Sequence, residues 1–444
     1  MMQKTALNTA AALALATFAA GSAFAQSSVT LYGHADVSLE NVKVTKGVAL
    51  VPALAAATTG LSTPGSVTRV SQSGSSQTSF GLKGEENLGD GFKASFVLEG
   101  QLGHDTGALG QDGRIFGRQS YVGLTTPFGE VRLGRQYAPI FYSSAAVTGE
   151  RFGATDLFTE GGASNNLMVR QDNQISYWVK TGGFTGSLAY SPNAGSYSKV
   201  NPARSTATAK TPVSSPSVGG MLGQSGAGSE AANTKTGRSF GLFGNYAFDE
   251  SLNATFGFHR NEFDSAGVGT FLPGNPPLPV NSTFLLDKYR AYNFGVKYVM
   301  PTTGILFDAA FGEGRYDWNT GASPDSNIKT RSMVAGVRVP VGQWTFSGQV
   351  SQIKFTNFTK GKDTGLMMGA EYAFSKRTVA YARVAQIRDD EGTAANAGFG
   401  VDVQGGPDVI ATALGLRETP VFAGAGINPG GKTTYVGAGI RHTF

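Results

Sequence analysis

Hydrophobic and polar residues alternate with a period of two along most of the chain. In the last such segment Val436, Ala438 and Ile440 share one face, and Tyr435 and Arg441 share the other. This alternation predicts strands with two different faces. We predict sixteen strands, at 29–38, 75–87, 92–102, 116–126, 131–137, 170–180, 184–192, 238–248, 252–262, 289–300, 305–317, 330–340, 343–355, 363–375, 378–389 and 432–444. Most of them have the ~9 to 11 residues that a tilted strand needs to cross a bilayer.

The connections between these segments alternate in length. Every second one is a short turn, at 88–91, 127–130, 181–183, 249–251, 301–304, 341–342 and 375–377. The connections between them are mostly longer, and those at 193–237 and 390–431 reach about forty residues. Short turns on one side and long loops on the other are typical of outer-membrane barrels. We therefore predict an all-β fold, a transmembrane antiparallel β-barrel of sixteen strands.

The composition excludes several other classes of protein. The 29 Phe and 15 Tyr among 444 residues supply far more apolar area than a disordered chain carries. Downstream of residue 25 there is no apolar stretch long enough for a membrane-spanning helix. The absence of Cys excludes a disulfide scaffold and any Cys-based metal site. A large soluble β-protein would fit these numbers too, but it has no reason to sort its loops by length.

The first 25 residues have the features of a secretory signal peptide. Lys4 precedes an apolar run at 6–20, and Ala23-Phe24-Ala25 forms a small-x-small cleavage site. The run is too short to span a bilayer. We predict that residues 1–25 are removed and that 26–444 form the barrel, with a net charge of +4.

Several segments carry a family resemblance. They are Val29-Thr30-Leu31-Tyr32-Gly33, the run 81–89 with sequence GLKGEENLG, the run 116–124 with sequence FGRQSYVGL, the run 128–137 with sequence FGEVRLGRQY, and the terminal Phe444. In this order they resemble the Gram-negative general porins, particularly the beta-proteobacterial branch. The resemblance implies a trimeric sixteen-stranded barrel in the outer membrane, with extracellular loops, that lets small hydrophilic solutes and ions diffuse passively.

Further partners follow from the same resemblance. The last strand resembles the signal read by the barrel-assembly machinery, with Tyr435, Gly437, Ile440 and Phe444 at the corresponding spacings. Outer-membrane lipid and lipopolysaccharide are expected around the barrel. Glycines are frequent within the strands, as at Gly241, Gly295 and Gly437, and we predict that they serve a curved wall and a close contact between subunits.

A barrel of this size leaves an aqueous channel that must be narrowed. The resemblance implies that the long loop at 138–169 folds inward and constricts the pore. The candidate constriction residues are the loop acids Glu150, Asp156 and Glu160 and the wall bases Lys83, Arg118 and Arg170. Acids facing bases would create a transverse field that favours small dipolar or hydrated solutes.

Two positions depart from this pattern. Relatives often carry Arg where this chain has Ser79, so one cation of the constriction is absent there. Strict alternation also gives Arg118 the outward face of Phe116, Val122 and Leu124, whereas the resemblance implies the lumen. We favour the lumen, because Arg exposed to lipid at mid-depth costs ~2 to 4 kcal/mol.

The charge balance predicts a weak preference for anions. The main alternative is a substrate-selective channel of the same fold, for example for organic acids. A third is an adhesin whose loops at 193–237 and 390–431 bind partners, although these loops lack clustered aromatic anchors.

Other signals carry less weight. The run 426–433 matches a nucleotide-binding pattern, but a strand follows it where that motif requires a helix. The four His residues form no ligand pair, no nucleophile is placed beside them, and the basic residues are dispersed. We predict no enzyme activity, no cofactor, no metal and no nucleic-acid partner. Aromatic residues at strand ends fit either a core or a membrane-interface girdle, namely Phe248, Tyr298, Phe374 and Phe444.

Overall fold

The computed structural model describes the barrel wall and one inward-folded segment. The described residues are 28–45, 65–72, 74–76, 78–104, 106–107, 109, 114–147, 170–192, 238–271, 282–319, 327–357, 361–389 and 431–444. The strands are β1 Ser28–Val44, β2 Gly65–Gln72, β3 Ser79–Gly89, β4 Phe92–Gly100, β5 Gln119–Thr126, β6 Gly129–Tyr137, β7 Arg170–Thr181, β8 Phe184–Ser191, β9 Ser239–Ala247, β10 Leu252–Phe271, β11 Ser282–Val299, β12 Leu306–Asn319, β13 Asn327–Val341, β14 Trp344–Asn357, β15 Gly361–Ala373, β16 Thr378–Asp389 and β17 Lys432–Thr443. Helix α1 spans Pro139–Val147.

The strands form one closed antiparallel sheet. From β3 to β17 each strand pairs with the next along the chain, and β17 pairs with β1 from His34↔Thr443 to Val44↔Thr433. Gly33 and Phe444 complete the closure, because each donates its backbone N–H to the carbonyl of the other. With this pairing β17 and β3 both lie against β1, so the sheet closes into a barrel, as a strand structure in lipid requires.

The seventeen described strands occupy sixteen positions around the wall. β2 pairs with the C-terminal part of β1, from Val37↔Gln72 to Val44↔Gly65. β3 pairs with the N-terminal part of β1, from Ser28↔Glu85 to His34↔Ser79. β2 and β3 therefore share one wall position beside β1, and the prediction of a sixteen-stranded barrel is confirmed.

The two faces of the sheet differ as the alternation predicts. Large apolar side chains such as Leu39, Leu133 and Met368 are exposed on the outer face. The inner face carries buried polar residues such as Asp36 of β1, Ser176 of β7 and Glu371 of β15. The aromatic residues at strand ends are all at least 40% exposed, which excludes the core interpretation and fits an interface girdle: Phe248, Tyr298, Phe374 and Phe444.

Several predicted boundaries were wrong. The prediction missed β2, and it assigned residues 75–78 to a strand although β3 begins at Ser79. The strand predicted from Phe116 begins at Gln119. The predicted signal peptide lies outside the described residues, and so do the long connections at 193–237 and 390–431, apart from Gly431. Within the described residues, no helix is long and apolar enough to cross a membrane.

Candidate functional site

Helix α1 lies inside the barrel, on the inner wall formed by β9 to β12. Pro139 starts the helix, where its missing N–H costs no hydrogen bond, and its ring packs on Gly241. Asn293 on β11 donates to Ser144 Oγ at 2.7 Å and accepts from Ser143 Oγ. The start of the predicted loop at 138–169 therefore folds into the lumen, as expected.

Glycines on three neighbouring strands make room for this helix. A Cβ on Gly241 would lie 2.9 Å from Pro139 Cδ, and Cβ atoms on Gly257 and Gly295 would collide with Ser143 and Val147. These glycines face the lumen, so close packing of the helix on the wall explains them. The predicted contact between subunits does not explain Gly241 or Gly295.

Aromatic rings fix the first turn of α1 against the wall. Phe141 stacks on Tyr137 with ring centroids 4.4 Å apart. Tyr142 meets Trp178 of β7 edge-on at 4.8 Å and also contacts Phe243 of β9. Burial raises the pKa of Tyr142, so its hydroxyl stays neutral at ordinary pH. The helix is thus held by neutral contacts.

Arg118 and Arg170 meet on one hydroxyl group. Arg118 Nη2 donates to Tyr137 Oη at 2.8 Å, and Arg170 Nη2 donates to the same oxygen at 3.1 Å. The Arg170 guanidinium also stacks over the Tyr137 ring, 4.6 Å from its centroid. Since Tyr137 stacks on α1, both arginines belong to the lumen wall.

The outward orientation that strict alternation gives to Arg118 is therefore wrong. Arg118 lies in a bend just before β5, so the alternation that governs β5 does not extend to it. Its backbone N–H donates to the Glu99 carbonyl at 3.0 Å, and its side chain forms an ion pair with the Glu99 carboxylate. Removing Glu99 would leave a buried guanidinium without its counter-ion.

Lys83 joins the same wall through Tyr32. The Lys83 ammonium lies 5.1 Å from the centroid of the Tyr32 ring, and Tyr32 Oη donates to Glu99 Oε2 at 2.9 Å. The structure thus brings the three predicted wall bases into one connected set. The predicted loop acids Glu150, Asp156 and Glu160 lie outside the described residues.

The wall contains further charged residues that were not predicted from the sequence. Asp172 accepts from Arg114 at 3.1 Å and forms an ion pair with Arg135. Arg135 lies at a register shift between β6 and β7, where Gly134 adopts φ 132°. The shift interrupts the alternation, so Arg135 is buried although it follows the outward Leu133 by two positions. We name Arg114, Arg118, Arg135 and Arg170 the first arginine cluster; it holds two carboxylates, Glu99 and Asp172.

A second segment also folds into the lumen, between β2 and β3. The backbone N–H groups of Ser75 and Ser76 donate to Asp36 Oδ2 at 3.0 and 2.6 Å. Tyr381 Oη donates to the other oxygen of Asp36 at 2.5 Å. The Gly74 carbonyl accepts from Arg383 at 2.6 Å. We call residues 74–76 the inner tuck.

A second arginine cluster surrounds this tuck. Glu371 on β15 accepts from Arg338 and Arg383, each at 3.2 Å, and Arg441 lies 3.8 Å from it. Arg441 also donates to Ser75 Oγ at 2.6 Å. Ser79, where the family resemblance leads us to expect Arg, is buried and lies in register with His34. Arginines of β13, β16 and β17 thus supply positive charge to the lumen wall.

The charged walls flank and face the helix. In the order of the sixteen wall positions, β17, β1, β3 and β4 lie half a barrel away from β9 to β12. Among the described residues, no group of three or more acidic or His side chains is placed to hold a metal ion. The arrangement can narrow an aqueous lumen and set its field.

Comparisons with known proteins agree with this geometry. Residues 9–392 match the family model of the Gram-negative porins. The chain is 28% identical to outer membrane porin protein 32 of Delftia acidovorans over 97% of its own length and 99% of that protein's. It is 29% identical to an outer membrane porin protein of Bordetella pertussis, over 90% and 99% of the two chains.

Solved porins share the fold. The anion-selective porin from Comamonas acidovorans superimposes with a TM-score of 0.64 at 21% identity, over 94% of this chain and 100% of that one. The trimer form of OmpT from Vibrio cholerae gives a TM-score of 0.57 at 13% identity, over 94% and 99% of the two chains. On the match to the family model, which covers most of its length, this chain belongs to the Gram-negative porin family and forms a diffusion channel in the outer membrane.

Proposed function

We propose that this porin admits small hydrophilic solutes and ions with a weak preference for anions. The observation that carries the proposal is the grouping of arginines in two clusters on the described lumen wall. The first arginine cluster has four arginines for two carboxylates, and the second has three for Glu371. In each cluster the arginines therefore outnumber the carboxylates of the ion pairs that define it.

The expected selectivity is modest. One fixed charge about 6 Å from an ion in water-like surroundings is worth ~0.7 kcal/mol, and physiological salt screens charges beyond ~8 Å. A few excess cations therefore favour anions by roughly tenfold at most. The Comamonas relative is named as anion-selective, which supports the same sign here.

The deciding experiment is a reversal potential across a planar bilayer with a KCl gradient. We expect the sign of an anion-preferring pore and a permeability ratio below about ten. A cation preference in the purified protein would overturn the proposal. The loop acids Glu150, Asp156 and Glu160 remain part of the proposed constriction, and neutralising them should increase the anion preference.

A substrate-selective channel for organic acids is the second candidate. It is favoured by the three arginines grouped on Glu371, since guanidinium forks match carboxylate geometry. Concentration-dependent block of single-channel current by organic acids, and not by neutral sugars of similar size, would support it. Unblocked conductance with both solute classes would support general diffusion.

Assembly of three copies of this chain is also proposed, in line with the trimer form of OmpT. In planar-bilayer recordings, channel closure in three equal conductance steps for each inserted particle would support it. Lipopolysaccharide around the barrel and insertion by the barrel-assembly machinery are proposed on family grounds. Of the predicted C-terminal signal, Ile440 and Phe444 face outward, whereas Tyr435 is buried on the inner face, on which Gly437 also lies.

We further propose that the channel has no catalytic role. His259 is buried beneath α1, and His442 interacts with Thr378 on the outer face. His34 lies in β1, 3.5 Å from the Thr443 hydroxyl. Hydrolysis of phospholipid or peptide by the purified protein, lost in His34→Ala, would contradict this.

A further inference from the structure

Arg132 of β6 lies between two aromatic rings on the lumen side of the wall. Its guanidinium carbon is 5.2 Å from the centroid of the Tyr121 ring of β5 and 4.7 Å from that of the Trp178 ring of β7. The Arg132 side chain is 20% exposed, and its neighbours Val131 and Leu133 point outward. A guanidinium stacks on rings through its plane as well as through its charge, so these contacts depend on its shape.

The ion pair of Arg132 is formed within its own strand. Arg132 Nη2 donates to Glu130 Oε2 at 2.7 Å, and Ser95 Oγ donates to Glu130 Oε1 at 3.5 Å. Gly123 of β5 leaves room for this carboxylate, because a Cβ there would lie 2.5 Å from Ser95 Oγ and 2.7 Å from Glu130 Oε1. Glu130 therefore balances the charge of Arg132, while the plane of the guanidinium stays in contact with the rings.

Trp178 connects Arg132 with helix α1. The Trp178 ring meets the ring of Tyr142 edge-on, with centroids 4.8 Å apart, and Trp178 Nε1 donates to Ser176 Oγ at 3.1 Å. Phe243 contacts both rings, with its centroid 6.1 Å from that of Trp178 and 6.0 Å from that of Tyr142. Arg132 thus supports the ring against which Tyr142 packs.

This contact lies on a different side of α1 from the glycine seat. Tyr142, Ala145 and Ala146 are the residues of α1 that are not buried. Of these three, Tyr142 alone has a large side chain, so its ring contacts are the means by which this side of the helix is held. The buried side is held separately, by the close packing on β9 to β12 described above.

We propose that Arg132 is a positioning residue for the constriction. Its guanidinium plane holds Trp178 against Tyr142, and this contact fixes the partly exposed side of α1. The planar contact acts here, and not the charge, which Glu130 balances. The proposal concerns the shape of the pore and stands whether or not the channel prefers anions.

The test measures the mobility of α1 in the purified protein in lipid vesicles. The chain contains no Cys, so Ala145→Cys supplies a single thiol for a nitroxide label, whose electron paramagnetic resonance spectrum separates fixed from mobile label. We expect Arg132→Met to raise the mobile population about fivefold to tenfold, since a partly desolvated cation–π contact is lost. Single-channel conductance should change in the same variant. An unchanged spectrum would overturn the proposal.

Two further variants separate shape from charge. Arg132→Lys keeps the positive charge without the planar group, and it should raise the mobile population as Arg132→Met does. If Arg132→Lys gave the spectrum of the parent, charge would suffice and the proposal would be wrong. Arg315→Met is the matched control, because Arg315 also pairs with a carboxylate two residues away, that of Asp317, but on the outer face. Equal mobility in this control would indicate a general loosening of the barrel and sink the assignment.

A double substitution tests whether Arg132 acts through Tyr142. Tyr142→Leu removes the ring that meets Trp178 and should itself raise the mobile population. In that background Arg132→Met should change the population by less than about twofold, because both substitutions then act on one contact. Full addition of the two effects would contradict the proposal. Circular dichroism shows whether each variant keeps its β-structure, and Arg132→Lys takes the place of Arg132→Met in the cycle if the latter does not fold.

Discussion

The two halves of the lumen wall hold their contents by different forces. Strands β9 to β12 seat α1 through glycines, methyl groups and neutral hydrogen bonds, as at Gly257, Val147 and Asn293. The strands that flank and face this wall hold arginines in ion pairs and on tyrosine rings, as at Arg118. We therefore expect packing to determine where the pore is narrow and charge to determine the field inside it. The two properties should respond to different mutations.

The largest expected effect is on the charged half. Arg118→Ala should lower the free energy of unfolding by about 3 kcal/mol, because it leaves the buried Glu99 carboxylate without its cation. Urea titration of the protein in lipid vesicles measures this. The double variant Arg118→Ala/Glu99→Gln is the control and should recover most of the loss. If the double variant is no more stable than the single one, the ion pair is not the cause.

The next effect concerns the helix seat. Gly257→Leu should destabilise the protein by about 1 to 3 kcal/mol through overpacking against Ser143, and it should change single-channel conductance by displacing α1. Gly348→Leu is the matched control, since a Cβ there meets nothing closer than 3.9 Å. Unchanged conductance in Gly257→Leu would mean that α1 does not set the narrowest section. If Gly257→Leu changed the ion selectivity but not the conductance, packing and charge would not control separate properties of the pore.

A smaller effect is expected on ion selectivity when the charge of Arg170 is removed. Arg170→Gln should reduce the anion-to-cation permeability ratio about threefold, the equivalent of ~0.7 kcal/mol. The reversal potential in a KCl gradient measures this ratio. Arg170→Lys should keep most of the ratio, because the charge is retained. An equal loss in the Lys variant would point to geometry at Tyr137 as the cause.

The smallest effect belongs to the outer surface. Arg315→Gln removes an ion pair with Asp317 whose arginine is 49% exposed, so the free energy of unfolding should change by at most about 1 kcal/mol. Reversal potential and conductance should not change. A shift of selectivity in this variant would mean that outer charges reach the lumen, which the division between inner and outer faces does not allow.

The wall could be predicted from the sequence because lipid and water impose opposite demands on alternate residues. Residues such as Leu39 and Ser38 follow that rule without reference to the rest of the chain. The sorting of short turns and long loops added the topology. Both signals are local in the sequence, and together they were enough to predict the barrel wall.

The interior could not be predicted as well, because it depends on departures from alternation. Arg118 turns inward at a bend, and Arg135 is buried at a register shift beside Gly134. Residues 75–78 look like strand, yet Ser75 leaves the wall to reach Asp36, 39 positions away in sequence. The family resemblance supplied Arg118 and Arg170, and the alternation of its strand supplied Lys83. The resemblance did not supply Glu371 or Asp172, whose importance comes from neighbours on other strands.

The closing pair of strands has a consequence for how the molecule forms. The contact between His34 and Thr443 joins residues 409 positions apart, whereas most strand pairs join neighbours in the chain. Loop-closure entropy makes such a contact slow to form. A sheet that has zipped from β3 to β17 still exposes two unpaired edges, which invite wrong partners. The pairing of β1 with β17 therefore closes the barrel wall and also removes the strand edges that favour aggregation. The backbone hydrogen bonds between Gly33 and Phe444 contribute to both.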